Sequence, residues 1–287
     1  MPGSTAFVLG GGGVLGAAEV GMLQALLDAG IYPDLVLGTS IGAMNGALLA
    51  ADPTPTGVRR LEALWIHAVT DGPLGPSLRH RVSAIASSRA RATSQPGPLR
   101  RLLEENLPEQ IEDLPVQFAC VAASIERAAE HWFTDGPLVS AVLASAALPG
   151  LYPAVEIDGE HFLDGGLVNS IPLDRARKMG AQRAFVLQVG RIEQPLAAPQ
   201  KPWEVPMVAF EVARRARFTA SLARSRELIE VHVLPTGGLA PRFNDRSNFD
   251  TFDMSLVAER IDAAQIATAE YLAANGLPGS GTSPGGA

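Results

Sequence analysis

AFVLGGGGVLGAAEVGMLQALLDAGIYPDLVLGTSIGAMNGALLAA, residues 6–51, decides the fold. It opens on a short apolar run, residues 6–9, that reads as a strand. Four glycines follow, Gly10 to Gly13, and then Val20, Leu23 and Leu27 recur on one helical face, which Met22 and Leu26 widen. Gly30 is a C-terminal stop for that helix. DLVLG (34–38) reads as a second strand, and residues 41–51 as a second helix closed by DPTP. Strand–helix–strand–helix in about 50 residues argues for a parallel sheet covered by helices.

Outward from this unit the pattern loosens. Helices are expected at 57–70 and 98–106. Between them lies GPLGPSLRHRVSAIASSRARATSQPGP, rich in Pro, Gly, Ser and Arg, which reads as a mobile lid or loop. VQFACVAASI (116–125) restores the sheet, with EHWFT as its partner, and PLVSAVLASAAL (137–148) is helical. VEIDGEHFLDGG carries a hairpin signal, because Asp158-Gly159 is a favoured two-residue turn. RAFVLQV and LIEVHVL are two further buried strands, with helices expected near 203–227 and 251–275.

Composition narrows the function classes. Of 287 residues, 47% are apolar, enough for a sizeable core and against global disorder. A net charge of −7 disfavours a nucleic-acid partner. The single cysteine, Cys120, excludes an intramolecular disulfide and reads as strand core. The N-terminus lacks a basic region before its short apolar run, and no 18-residue apolar stretch occurs, so a soluble, cytoplasmic protein is expected. From Gly72 to Leu103 there are six arginines and no acid. That stretch is either a solvated loop or a patch giving peripheral contact with anionic membrane. The run RRARFTASLARSRE (214–227) is expected to be a helix with its charges facing solvent.

The second strand ends in GTSIG, a G-x-S-x-G pattern with Ser40 between Gly38 and Gly42. A nucleophile on a tight strand-to-helix turn needs small neighbours, and the following helix aims its N-terminus at the serine. The plainer reading makes Ser40 a helix N-cap. A serine hydroxyl needs a base, and Asp164 in FLDGGLVNSIP is the best candidate; alone it could equally be an Asp-Gly turn.

Taken in order, GGGGVLG, GTSIG and DGG resemble the patatin-like phospholipase family, from Phe7 to about Gly190. The likeness includes SAALPGLYPAVEIDGEHFLDGGLVNSIPLDRARKMGA (145–181). The resemblance implies a Ser-Asp dyad, with Ser40 as nucleophile and Asp164 as base. It implies an oxyanion hole from the backbone amides of Gly11, Gly12 and Gly13, with Gly16, Gly38, Gly42, Gly165 and Gly166 as supporting motif positions. Several amides at a helix start preorganise a site for negative charge. An aspartate with a reference pKa of about 3.9 is a poor base at neutral pH, and burial would improve it. Leu15 stands where the family's glycine loop usually carries Arg or Lys.

The implied fold is a three-layer α/β/α with a mainly parallel central sheet over residues 5–275, with 72–100 as lid or loop and 276–287 as a disordered tail. The implied function is a serine acyl hydrolase acting on a lipid or other ester substrate, using no metal or organic cofactor. A non-catalytic lipid- or partner-binding member of the same fold is the alternative that Leu15 keeps open. GGGVLG also fits a dinucleotide fingerprint, but the second strand ends without the acid that would hold a ribose. His161 and His232 are the histidines that a Ser-Asp-His triad would need. Both read better as structural: His161 as a hairpin neighbour and His232 as a strand residue.

Overall fold

The computed structural model describes residues 4–70, 97–149, 152–189, 192, 195–202, 204–238 and 254–277. Among them, eight strands form one sheet: β1 (Thr5–Leu9), β2 (Leu35–Thr39), β3 (Gln117–Ser124), β4 (Ala129–Phe133), β5 (Val155–Ile157), β6 (Glu160–Asp164), β7 (Arg183–Leu187) and β8 (Glu230–Val233). The strands β3, β2, β1, β7 and β8 are mutually parallel in that spatial order. The helices are α1 (Ala17–Asp28), α2 (Ile41–Ala51), α3 (Pro55–Thr70), α4 (Gly97–Glu104), α5 (Leu138–Ser145), α6 (Gly166–Asn169), α7 (Leu173–Lys178), α8 (Glu204–Arg226) and α9 (Met254–Ala274).

The parallel strands are apolar on both faces because both faces are covered. Phe7, Leu9, Val36, Cys120 and Phe185 point into a core shared with α1, α2, α3, α5 and α9. Their alternates, Ala6, Val8, Leu37 and Val186, pack against Ile171, Leu173 and Ala176 around α7, and against Phe218 of α8. The result is the expected mixed α/β fold in three layers.

Two strands run against the grain. β4 and β6 are antiparallel to β3, and β5 is antiparallel to β6. The predicted hairpin is present, with Asp158 at φ 52° and Gly159 at φ 78°, as an Asp-Gly turn with two left-handed residues requires. β4 lies along Cys120–Ser124 on one side of β3. The other side is shared: β2 covers Gln117–Val121, and β6 covers Ala122–Ser124 from the opposite direction. So β2 ends at Thr39 opposite Val121, while β6 ends at Asp164 opposite Ala122. The two strands terminate against each other, and this register brings the site together.

Three expectations need correction. The helix expected to run to Leu148 ends at Ser145. Pro149 disfavours helical backbone at Leu148, and the carbonyls of Ser145 and Ala147 turn aside to accept the N–H groups of Gly165 and Asp164. Residues 97–100, assigned to the lid, form the first turn of α4. The rest of that lid, with Arg79, Arg81, Arg89 and Arg91, lies outside the described residues, as do 278–287 of the tail. The charges of the 214–227 helix do not all face solvent: the guanidiniums of Arg214 and Arg215 both close on the buried Glu211 carboxylate at 2.7 and 2.8 Å. Among the described residues, no helix is long and apolar enough to cross a membrane.

Candidate active site

β2 runs through Gly38 to Thr39, and Ser40 follows at φ 56° and ψ −121°. Non-glycine residues rarely hold such a backbone unless their surroundings enforce it. The chain reverses tightly around it: a Cβ on Gly38 would lie 2.5 Å from the Gly42 carbonyl oxygen, and one on Gly42 would lie 2.5 Å from that of Leu9 on β1. Ser40 stands at the N-cap of α2, yet its hydroxyl makes no capping bond. Instead Oγ donates to Oδ2 of Asp164 at 2.6 Å. The plainer reading of Ser40 as a cap is therefore set aside.

Asp164 is 3% exposed. Its other oxygen, Oδ1, accepts the N–H of Gly166 at 2.7 Å. Burial pushes the carboxyl pKa up to about 6, against a smaller opposing pull from the Ser40 and Gly166 hydrogen bonds. A carboxylate with that value has a proton affinity useful near neutral pH.

A layer of backbone and hydroxyl contacts supports the pair. Ser145, fully buried at the end of α5, accepts the Ser40 N–H on Oγ at 2.9 Å and donates the same hydroxyl to the Val121 carbonyl at 2.6 Å. Thr39 donates to the carbonyl of Asn169 at 2.9 Å, tying the elbow to α6. Asn169 in turn donates to Glu130 and Asp174.

The glycine loop runs alongside. A Cβ on Gly11 would come within 3.5 Å of the Ser40 Cβ. The Gly11 N–H, however, donates to the Ser170 carbonyl at 2.8 Å, so it is not a free donor. Gly12 and Gly13 are exposed, and among the described residues neither amide has an acceptor. Gly16 closes the turn that follows, and its carbonyl accepts from Asn45. Beneath the loop, Asn45 also donates to the buried Glu19 carboxyl at 2.7 Å and accepts the Trp65 indole N–H at 2.8 Å. Burial holds the Glu19 pKa well above the usual carboxylate range.

The histidines lie elsewhere. His161 pairs with Glu126 at 2.8 Å on the exposed hairpin. His232 stacks on Phe185 at 4.9 Å, and its Nε2 meets Glu230. Cys120 is buried inside β3, where desolvation drives its thiol pKa upward. Among the described residues, no group of three or more His, Cys, Asp or Glu side chains is placed to hold a metal ion.

Residues 7–177 match the family model described as patatin-like phospholipase. The chain belongs to the patatin-like phospholipase family. It is 36% identical over 189 residues to patatin-like phospholipase domain-containing protein ZK370.4 of Caenorhabditis elegans, a match covering 65% of this chain and 14% of that protein. It is 33% identical over 200 residues to lysophospholipase nte1 of Aspergillus terreus, covering 66% of this chain and 12% of that one. The chain thus spans a small part of the length of the curated relatives it matches. The solved structure of VipD from Legionella pneumophila aligns with a TM-score of 0.48 at 15% identity, covering 96% of this chain and 67% of that chain.

The site residues that escaped sequence reasoning are Thr39, Ser145, Asn169 and Ser170. Each acts through one hydrogen bond or a few, and neither spacing nor periodicity distinguishes such a residue from its neighbours. Ser145 does open the SAALPG stretch that carries part of the family likeness.

Proposed function

We propose that the chain is a serine acyl hydrolase acting on carboxylic esters of lipids, with Ser40 as nucleophile and Asp164 as base. One observation carries this reading: a hydroxyl on a strained elbow donates at 2.6 Å to a buried carboxyl whose pKa is raised to about 6. A serine needs such an adjacent base to attack.

The steps follow from the positions. Ser40 Oγ bonds to the ester carbonyl carbon as its proton passes to Asp164. The carbonyl oxygen becomes an oxyanion, which the amides of Gly12 and Gly13 and the N-terminus of α2 stabilise. The C–O bond to the alcohol breaks, and Asp164 returns the proton to that leaving oxygen. Water, deprotonated by Asp164, then attacks the acyl-enzyme, and Ser40 recovers the proton as the carboxylic acid departs. Gly11 supports this hole through its carbonyl-bound amide rather than by direct donation.

The lipid assignment draws support from the family and from the relative named a lysophospholipase. A cavity of about 360 Å³ lies against α6, which begins two residues after Asp164. Gly166, Leu167, Ser170 and Phe210 line it together with Arg214 and Arg217. Peripheral contact with anionic membrane, through the arginines between Arg79 and Arg101, belongs to the same proposal, as does a cytoplasmic location.

The test is a panel of p-nitrophenyl esters, lysophospholipids and phospholipids against wild type and Ser40→Ala. Turnover that disappears in Ser40→Ala is the expected result. Turnover that survives would reject Ser40, and absence of turnover by wild type on every ester would favour a binding role for the fold.

A further inference from the structure

Ser145 sits where three separate pieces of the candidate active site meet. Its Oγ accepts the backbone N–H of Ser40 at 2.9 Å and donates to the carbonyl of Val121 at 2.6 Å. Its own carbonyl accepts the N–H of Gly165, next to Asp164, at 3.0 Å. Val121 is the β3 residue opposite which β2 ends, one position before the partner of Asp164. One fully buried residue thus touches the nucleophile's own backbone, the strand that both dyad strands use as a template, and the loop carrying the base.

Backbone demand makes the contact necessary. Ser40 occupies the position just before the first turn of α2, so its N–H has no helical acceptor. It also lies beyond Thr39, the last residue of β2, and so outside the sheet ladder. A buried N–H without an acceptor is costly. The Ser145 hydroxyl supplies an acceptor, and its donation to Val121 fixes the direction of the lone pairs.

We infer that Ser145 is a positioning residue for acyl transfer, holding the Ser40 elbow and the Asp164 loop in register so that Oγ stays within hydrogen-bond reach of the carboxylate. The inference rests on the serine hydrolase reading above. Ser145 touches no reacting atom and acts only through Ser40 and Asp164.

The experiment compares wild type with Ser145→Ala, Ser145→Cys and Ser124→Ala. The readouts are the rate at which a fluorophosphonate probe labels Ser40, kcat and KM on a p-nitrophenyl ester, and the pH profile of kcat. In Ser145→Ala, labelling and kcat should each fall by roughly 10- to 100-fold, since small misplacements of a reacting group carry losses of that order. KM should stay within about threefold. The acidic limb should move to higher pH, because a loosened Ser40–Asp164 bond lowers the carboxyl pKa less. Ser145→Cys, with a weak donor and acceptor in a similar volume, should lie between. Ser124→Ala removes a different buried hydroxyl, on β3, which meets Glu160 at the opposite end of β6 from Asp164, and its labelling should stay within about threefold of wild type.

A folded Ser145→Ala with wild-type labelling and an unmoved acidic limb would overturn the inference, as would an equal loss in Ser124→Ala. Should Ser145→Ala fail to fold, Ser145→Cys decides by the same two readouts. Wild-type protein that takes up no probe at Ser40 would reject the hydrolase reading itself, and the role of Ser145 with it.

Discussion

At the scale of single residues, the carboxyl of Asp164 couples stability to chemistry. Unfolded, it ionises near its reference value of about 3.9; folded, burial raises it to about 6. Between those values the folded chain binds the proton that the unfolded chain has released. Stability therefore falls as pH rises through about 4 to 6 and levels off above. At neutral pH the ionised, buried group costs about 3 kcal/mol. Asp164→Asn removes that cost while keeping the shape, so denaturant unfolding should show a more stable variant at pH 7.5 and little difference at pH 4. The same substitution removes the proton acceptor, and kcat should fall by roughly 10²- to 10⁴-fold. In wild type, kcat should rise with pH through about 6 as Asp164 ionises. His161→Ala and His232→Ala should each stay within about tenfold of wild type, since Glu126 and Glu230 are the groups those rings meet.

At the scale of elements, two glycines with equally crowded surroundings should behave differently. Gly165 follows β6, and a Cβ there would lie 2.1 Å from the Val121 carbonyl oxygen. Gly21 sits where α1 crosses α9, and its Cβ would lie 2.0 Å from the Ile261 carbonyl oxygen. Backbone atoms block both positions, so each alanine forces elements apart, at a cost of about 1–3 kcal/mol or more. Gly165→Ala displaces the loop that carries the base, so Ser40 labelling should drop even where circular dichroism shows a folded sheet. Gly21→Ala strains the α1–α9 pair, neither of which carries Ser40 or Asp164. It should lower Tm by several degrees, on the order of 2–4 °C per kcal/mol, while labelling below the transition stays near wild type. Equal labelling losses in the two variants would contradict this division of roles.

At the scale of the whole molecule, the fold brings the candidate site to the C-terminal edge of the parallel strands, where α/β sheets commonly place their sites. The glycine loop leaves β1 there, the elbow leaves β2, and β6 arrives from the opposite direction to deliver Asp164. Much of this was legible in the chain. Strands with both faces buried leave continuous apolar runs, α1 shows as a long apolar run that is buried on nearly every side rather than on one face, and Asp158-Gly159 announces its own turn. Ser40 and Asp164 stood out because motifs with short, rigid spacing surround them. The rest depended on contacts distant in sequence. That Gly11 gives its amide to Ser170 and that Ser145 closes on Ser40 both follow from packing between elements. No local pattern encodes them.

The central claim is that Ser40 is a nucleophile activated by Asp164 alone. Its most direct test is the site and rate of fluorophosphonate modification, read by peptide mass spectrometry in wild type, Asp164→Asn, His161→Ala and His232→Ala. A single adduct on Ser40 is expected, slowed by at least about a hundredfold in Asp164→Asn and little changed in either histidine variant. An adduct on another residue, or a histidine variant as slow as Asp164→Asn while still folded, would contradict it.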